Sequence, residues 1–233
     1  DGKSAFVQLI EAVHEIDGIE RIRFTSPHPK GYGDDLVEAY ARLPKLVEHA
    51  HIPVQSGSNR MLKLMHRGYT RERFTKLIGK LHSINPAMGI ATDIIVGFPG
   101  ETEEDFEQTL LLCRETGFDN AFIFKYSRRR NTPAAAMPGQ LPEKEIESRH
   151  ARLLKLVDKI RARKLNEQIG AELEVLVEGP SRRNSARIEG RTRCNKIVVF
   201  EDSERHIGQV IKLRITEATQ TTLYGEQAVM NLN

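Results

Sequence analysis

Thr92-Asp93-Ile94-Ile95-Val96-Gly97-Phe98-Pro99-Gly100-Glu101-Thr102 is the stretch that decides the fold. A largely apolar, β-branched run ends in a Gly/Pro turn, and Glu103, Glu104 and Asp105 follow directly. Thr102 is placed to cap a helix whose first turn then carries acids where the helix dipole favours them. A strand that passes through a tight turn into a helix is the repeating unit of a parallel sheet. In a parallel barrel the carboxyl ends of such strands deliver side chains to one cavity. Upstream, His51-Ile52-Pro53-Val54-Gln55-Ser56-Gly57-Ser58 repeats the design.

Working outward, strands are expected at 21–25, 47–54, 89–96 and 121–126, with helices between them. Phe6, Leu9, Ile10 and Val13 recur at helical spacing before the first strand, and Phe106, Leu110 and Cys113 do so after Pro99. Four strands do not close a barrel, so the α/β region reads as the later part of one, with an amino-terminal portion expected to precede Asp1. A long helix is expected over 142–169. Ile146, His150, Leu153, Val157, Ile160 and Lys164 or Leu165 trace one face, and Arg149, Arg152, Lys155, Lys159, Arg161 and Arg163 form a basic face read chiefly as solvated. Beyond Gly170 the pattern becomes alternation, at 173–177, 186–188, 196–200 and 209–215. Short strands at that spacing predict a small antiparallel barrel. The expected organisation is 1–141, 142–169 and 170–233. No internal repeat or low-complexity segment is evident.

The formal net charge is only +3 over 233 residues, so bulk charge does not imply a nucleic-acid partner. Its placement does. Residues 181–196 hold Arg182, Arg183, Arg187, Arg191, Arg193 and Lys196 against the single acid Glu189, a composition suited to a phosphate backbone. Few aromatics favour shape and phosphate recognition over base stacking. Cys113 and Cys194 are too far apart to suggest zinc or a redox pair, and read as free thiols of a reducing cytosol. No run approaches the roughly 20 apolar residues of a membrane span, and no leader pattern opens the sequence. The expectation is a cytoplasmic protein with no membrane partner.

Four strand ends are candidate ligand sites: Ser26-Pro27-His28-Pro29, Gln55-Ser56-Gly57-Ser58, Gly97-Phe98-Pro99-Gly100 and Ser127-Arg128-Arg129-Arg130. Small and hydroxyl residues admit a bulky ligand to backbone donors and acceptors. Asp93 lies in an otherwise apolar strand, where burial requires compensating hydrogen bonds. By alternation it shares a face with Ile95 and Gly97, pointing inward toward a ligand or a site neighbour. Gln55 and Ser56 offer an amide and a hydroxyl for ribose or an amino-acid carboxylate, or serve the turn. His49 and His51 share a strand face without an evident third ligand, so they read as core or loop histidines and no metal site is expected. His28, between two prolines, reads as part of a rigid loop rather than a base. There is no phosphate-binding Gly-Lys-Ser/Thr loop and no hydrolase serine elbow.

Arg23-Phe24-Thr25-Ser26-Pro27-His28-Pro29, the Gln55–Ser58 strand end, Met65-His66-Arg67-Gly68-Tyr69-Thr70 and the Gly97–Thr102 turn together resemble the radical S-adenosylmethionine (SAM) methylthiotransferase family. Residues 5 to about 140 resemble the later part of its SAM-binding, partial TIM-like barrel, and 170–228 its TRAM domain, an OB-like RNA-binding barrel. Glu178-Gly179-Pro180-Ser181 and Gly190-Arg191-Thr192-Arg193-Cys194-Asn195-Lys196 look most like the branch acting on isopentenyl-adenosine beside the tRNA anticodon. The resemblance implies SAM as cofactor, with Ser26, Gln55, Ser56, Asp93, Gly97, Phe98 and Tyr126 as its contacts. It implies two [4Fe-4S] clusters in a full-length protein, neither ligated by this chain, which alone would be inactive. It also implies the tRNA anticodon stem-loop, an electron donor and a sulfur source as partners, and a monomer is expected. Sister enzymes acting on threonylcarbamoyl-adenosine tRNA or a ribosomal protein, and a non-catalytic RNA-binding module, stay open. Arg130 and Asn131 stand where relatives usually carry Pro and Gly, a change expected to loosen that turn and add charge.

Overall fold

A computed structural model describes residues 2–25, 28–182 and 184–227, in two compact units divided after Val157. In the first unit the elements run α1 (Ala5–His14), α2 (Asp34–Arg42), β1 (His49–His51), α3 (Asn59–Leu64), α4 (Arg71–Ile84), β2 (Gly89–Val96), α5 (Glu103–Thr116), β3 (Asn120–Lys125) and α6 (Pro133–Ala136). The next helix, α7 (Glu143–Asn166), runs across the division. β1, β2 and β3 form a parallel sheet in sequence order, with Asp93 opposite Phe122 and Ile95 opposite Phe124.

The expected strand at 21–25 contracts to an isolated bridge between Ile22 and Leu46. The one expected at 47–54 also shortens, because Pro53 has no N–H to give the ladder. Thr92 fills the gap: its hydroxyl donates to the Ile52 carbonyl at 2.8 Å and accepts from the Val54 N–H at 3.0 Å. Pairing resumes at Gln55, whose N–H donates to the Asp93 carbonyl and whose carbonyl accepts from Ile95 N–H. Along β2 the alternation is clear from Thr92 onward. Thr92, Ile94 and Val96 are buried, while Asp93 and Ile95 are only partly so.

The expected apolar face of α1 is shifted. Val7 and Ile10 are buried, whereas Phe6 and Leu9 remain 38% and 58% exposed. In α5 the expected face holds, since Phe106, Leu110 and Cys113 are all buried. Thr102 caps α5 in a capping box with Asp105, and Gly117 closes its far end at φ 62°. On α7, Ile146, Leu153, Val157, Ile160 and Leu165 are buried as the periodicity predicts.

The second unit is a closed barrel of β4 (Glu172–Pro180), β5 (Ile188–Thr192), β6 (Ile197–Phe200), β7 (Val210–Ala218) and β8 (Leu223–Gln227), joined in the order β4-β5-β6-β8-β7. Val175, Val177, Ile188, Val198, Phe200, Leu213, Ile215 and Leu223 fill its centre with Leu165. The fifth strand, β8, was not expected from the sequence. It pairs parallel with β6 and antiparallel with β7, so the barrel is not purely antiparallel, and its closure removes exposed edges. Among the described residues, no helix is long and apolar enough to cross a membrane.

Candidate functional site

At the carboxyl ends of β1 and β2 the expected residues fall into two separate contacts, Gln55 backbone-paired to Asp93 and Ile95, and Phe98 against Tyr126. The His51 ring, on β1, donates from Nε2 to the Asp93 Oδ1 on β2 at 3.0 Å, and meets the Phe122 ring edge-on at 5.8 Å. Asp93 thus faces as its periodicity suggests, with a histidine neighbour that strand spacing alone did not assign. Phe122 and Phe124 on β3, 49% and 51% exposed, continue this face. Gln55 is buried and adopts φ 71°, a left-handed conformation uncommon for a side-chain-bearing residue and frequent at functional positions.

Gly97 also lies at positive φ, 77°, and its N–H donates to Glu101 Oε2 at 2.9 Å. A Cβ there would stand 2.5 Å from Ile146, so the turn requires glycine on both grounds. Phe98 is buried, with its ring edge-on to Tyr126 at 5.4 Å. The Tyr126 hydroxyl is buried without a hydrogen-bond partner among the described residues. Such a group is costly to bury unless something else satisfies it. Ser56 is different: fully buried, its hydroxyl meets Thr109 at 3.3 Å and accepts from Ser58 N–H, so the side chain holds the loop to α5. Ser26 lies outside the described residues.

Two ionic knots fix these tips. Asp105 accepts from the Ser58 hydroxyl at 2.6 Å, from the Thr102 N–H and hydroxyl, and from Arg60. Burial pushes its carboxyl up, but the hydrogen bonds from Arg60, Ser58 and Thr102 outweigh that and hold it well below the usual carboxylate range. Glu101 accepts from Arg149 Nη1 at 2.8 Å, and the two side chains are only 1% and 3% exposed. Burial raises the Glu101 carboxyl, with Arg149 and the Gly97 N–H opposing. Arg149 also reaches Glu145, and Arg152 binds Glu103 and Glu107. Arg152, 43% exposed, stays at the solvated surface as expected, whereas Arg149 does not. Arg149 is a buried anchor rather than a solvated cation.

His28 accepts the Lys30 N–H on Nδ1 at 3.2 Å and meets Tyr69 edge-on, and burial lowers its pKa, consistent with a loop role. At 126–134, Asn131 takes φ 64°, a conformation asparagine tolerates as glycine does. Arg128 donates to the Ala135 carbonyl and Thr132 to the Arg129 carbonyl, each at 2.8 Å. Two side-chain hydrogen bonds to backbone carbonyls thus brace the turn.

The polar groups here are of the kinds a nucleoside can hydrogen-bond: the Tyr126 hydroxyl beyond β3, the Asp93 carboxylate on β2, and Gln55. They do not fit an iron-sulfur cluster. Cys113 is buried, which drives its thiol up to about 12, and the Cys194 sulfur accepts from Lys196 Nζ at 3.2 Å in the second unit. No group of three His, Cys, Asp or Glu able to hold a metal ion is found among the described residues.

On the barrel, Arg182, Arg187 and Arg191 line one depression with Glu189, while Arg193 and Lys196 lie on the β5–β6 turn. Arg191 is tied to Glu178 at 3.1 Å. Arg183 lies outside the described residues.

Residues 2–113 match the Radical SAM superfamily and residues 166–227 the TRAM domain. Coproporphyrinogen III oxidase of Escherichia coli, a radical SAM enzyme, shares the fold at TM-score 0.53 and 13% identity, over 81% of this chain and 50% of its own. The chain belongs to the radical SAM methylthiotransferase family. It is 51% identical to the tRNA-2-methylthio-N(6)-dimethylallyladenosine synthase of Akkermansia muciniphila, over 96% of this chain and 49% of that protein. Synthases of the same name from Methylacidiphilum infernorum and Opitutus terrae are 48% and 51% identical, over 100% and 97% of this chain and 50% and 47% of theirs. The chain spans about half the length of the curated relatives it matches.

Proposed function

We propose that this chain is the later barrel segment and RNA-gripping barrel of an enzyme that adds a methylthio group to dimethylallyl-adenosine beside the tRNA anticodon. The similarity to synthases of that reaction, at about half identity over nearly the whole chain, supports it most strongly. The carrying structural observation is the joined strand tip: His51 bonded to Asp93, with Gln55 held at positive φ on the neighbouring backbone.

SAM and two [4Fe-4S] clusters of the full-length protein would supply reductive cleavage, sulfur and the methyl group, with an external electron donor and sulfur source. This chain's residues bind and orient. Asp93, fixed by His51, offers an acceptor to ribose hydroxyls. The Tyr126 hydroxyl offers a second polar contact, and Gln55 an amide. Gly97 and Phe98 shape the turn against which the ligand rests, while Ser56 acts through α5. Arg182, Arg183, Arg187, Arg191, Arg193 and Lys196 hold tRNA phosphates. The reading places the enzyme in the cytoplasm as a monomer, with segments 1–141, 142–169 and 170–233 as barrel, connector and TRAM domain.

The test uses the full-length protein, loaded with its clusters, SAM and a reductant. It is offered anticodon stem-loops carrying dimethylallyl-adenosine, threonylcarbamoyl-adenosine or plain adenosine. A methylthio mass gain confined to the dimethylallyl RNA supports the assignment. Gain only on the threonylcarbamoyl RNA, or on none, overturns it.

A further inference from the structure

The barrel of the second unit carries a depression of 320 Å³ over β5, β6 and β8, and a neighbouring one of 570 Å³. Arg187, Val199 and Tyr224 line both. The Arg187 guanidinium stands 5.8 Å from the centre of the partly exposed Tyr224 ring, within cation–π range. The smaller depression is also lined by the cations Arg182 and Arg191, by Asn184 and Thr221, and by Glu189, whose carboxylate accepts the Arg182 N–H at 3.2 Å. An aromatic ring beside an arginine plane, with short polar side chains around it, suits a nucleobase exposed out of its stack. The smaller depression sits at the low end of the roughly 300–1,000 Å³ typical of small-molecule sites. That is room for one nucleotide, not for a helix.

We propose that this depression receives a single unpaired nucleotide of the bound RNA, its base on the Tyr224 ring beside Arg187 and its phosphate on Arg182. The inference rests on the RNA-binding reading of the barrel and adds to it a base contact that the arginine pattern did not foretell.

The test is equilibrium binding of this chain, at fixed salt, to three probes. They are a hairpin with one unpaired nucleotide in its stem, the same hairpin fully paired, and free adenosine 5′-monophosphate. The expected result is about tenfold tighter binding of the hairpin with the unpaired nucleotide, in line with one base–aromatic stack. Tyr224→Leu brings the two hairpins within about twofold of each other, and Tyr224→Phe keeps the preference. A 2-aminopurine at the unpaired position is quenched on binding the wild-type chain, a readout independent of any variant.

Equal affinity of the wild-type chain for both hairpins, with no quenching, overturns the nucleotide site and leaves phosphate binding standing. Tyr224-dependent binding of the free mononucleotide without a hairpin preference also overturns it, in favour of a free-nucleotide site. Failure to bind any RNA overturns both this inference and the reading beneath it.

Discussion

Asp93 and Arg149 are the two residues whose surroundings say most about the protein, one at the proposed ligand edge and one beneath it. Asp93→Asn keeps the size of the side chain but removes the charge that accepts from His51. In the full-length enzyme it is expected to lower methylthio formation at least about tenfold, a barrier change of roughly 1.4 kcal/mol, with the melting temperature nearly unchanged. RNA-product mass spectrometry and thermal denaturation check the two parts. Arg149→Met leaves Glu101 buried without its cation, and breaking a buried pair typically costs about 3–5 kcal/mol. A clear fall in melting temperature is therefore expected, whereas the exposed Arg163→Met should shift it little. Asp93 was legible in the sequence because a lone carboxylate in an apolar strand needs a reason. Arg149 was not, since helix periodicity counts charges on a face but carries no sign of Glu101 from a distant turn.

Among the elements, α5 was the most legible, with its Thr102 cap, acidic first turn and apolar face all local signals. β1 and β8 were the least. Pro53 interrupts one ladder and a threonine side chain repairs it, while Leu223–Gln227 is too short and polar to stand out until its partners β6 and β7 exist. The α5 start also makes a pH prediction. Because the folded carboxyl of Asp105 is held below its unfolded value of about 3.9, its contribution is full above that value and is lost as pH falls through the folded one. Asp105→Asn should cost about 2–3 kcal/mol near pH 6. The gap in melting temperature between wild type and variant should shrink as the pH is lowered below about 4. A gap that widens on acidification would contradict the hydrogen-bond account of this cap.

At the scale of the whole molecule, the sequence announced two textures, strand–helix units and then alternation, and the structure has a parallel sheet and a closed barrel in those places. If the barrel grips RNA as proposed, its arginines make that affinity a salt-dependent quantity. With the six proposed phosphate contacts, raising salt from about 50 to 200 mM should weaken binding on the order of 1,000-fold in a titration of this chain with an anticodon stem-loop. A flat salt response would remove the phosphate role. The account as a whole is tested most directly in cells. In a strain whose full-length gene is deleted, mass spectrometry of digested tRNA should show dimethylallyl-adenosine without its methylthio group, restored by the wild-type gene and not by Asp93→Asn. Methylthiolated dimethylallyl-adenosine persisting at its normal level after deletion would contradict it.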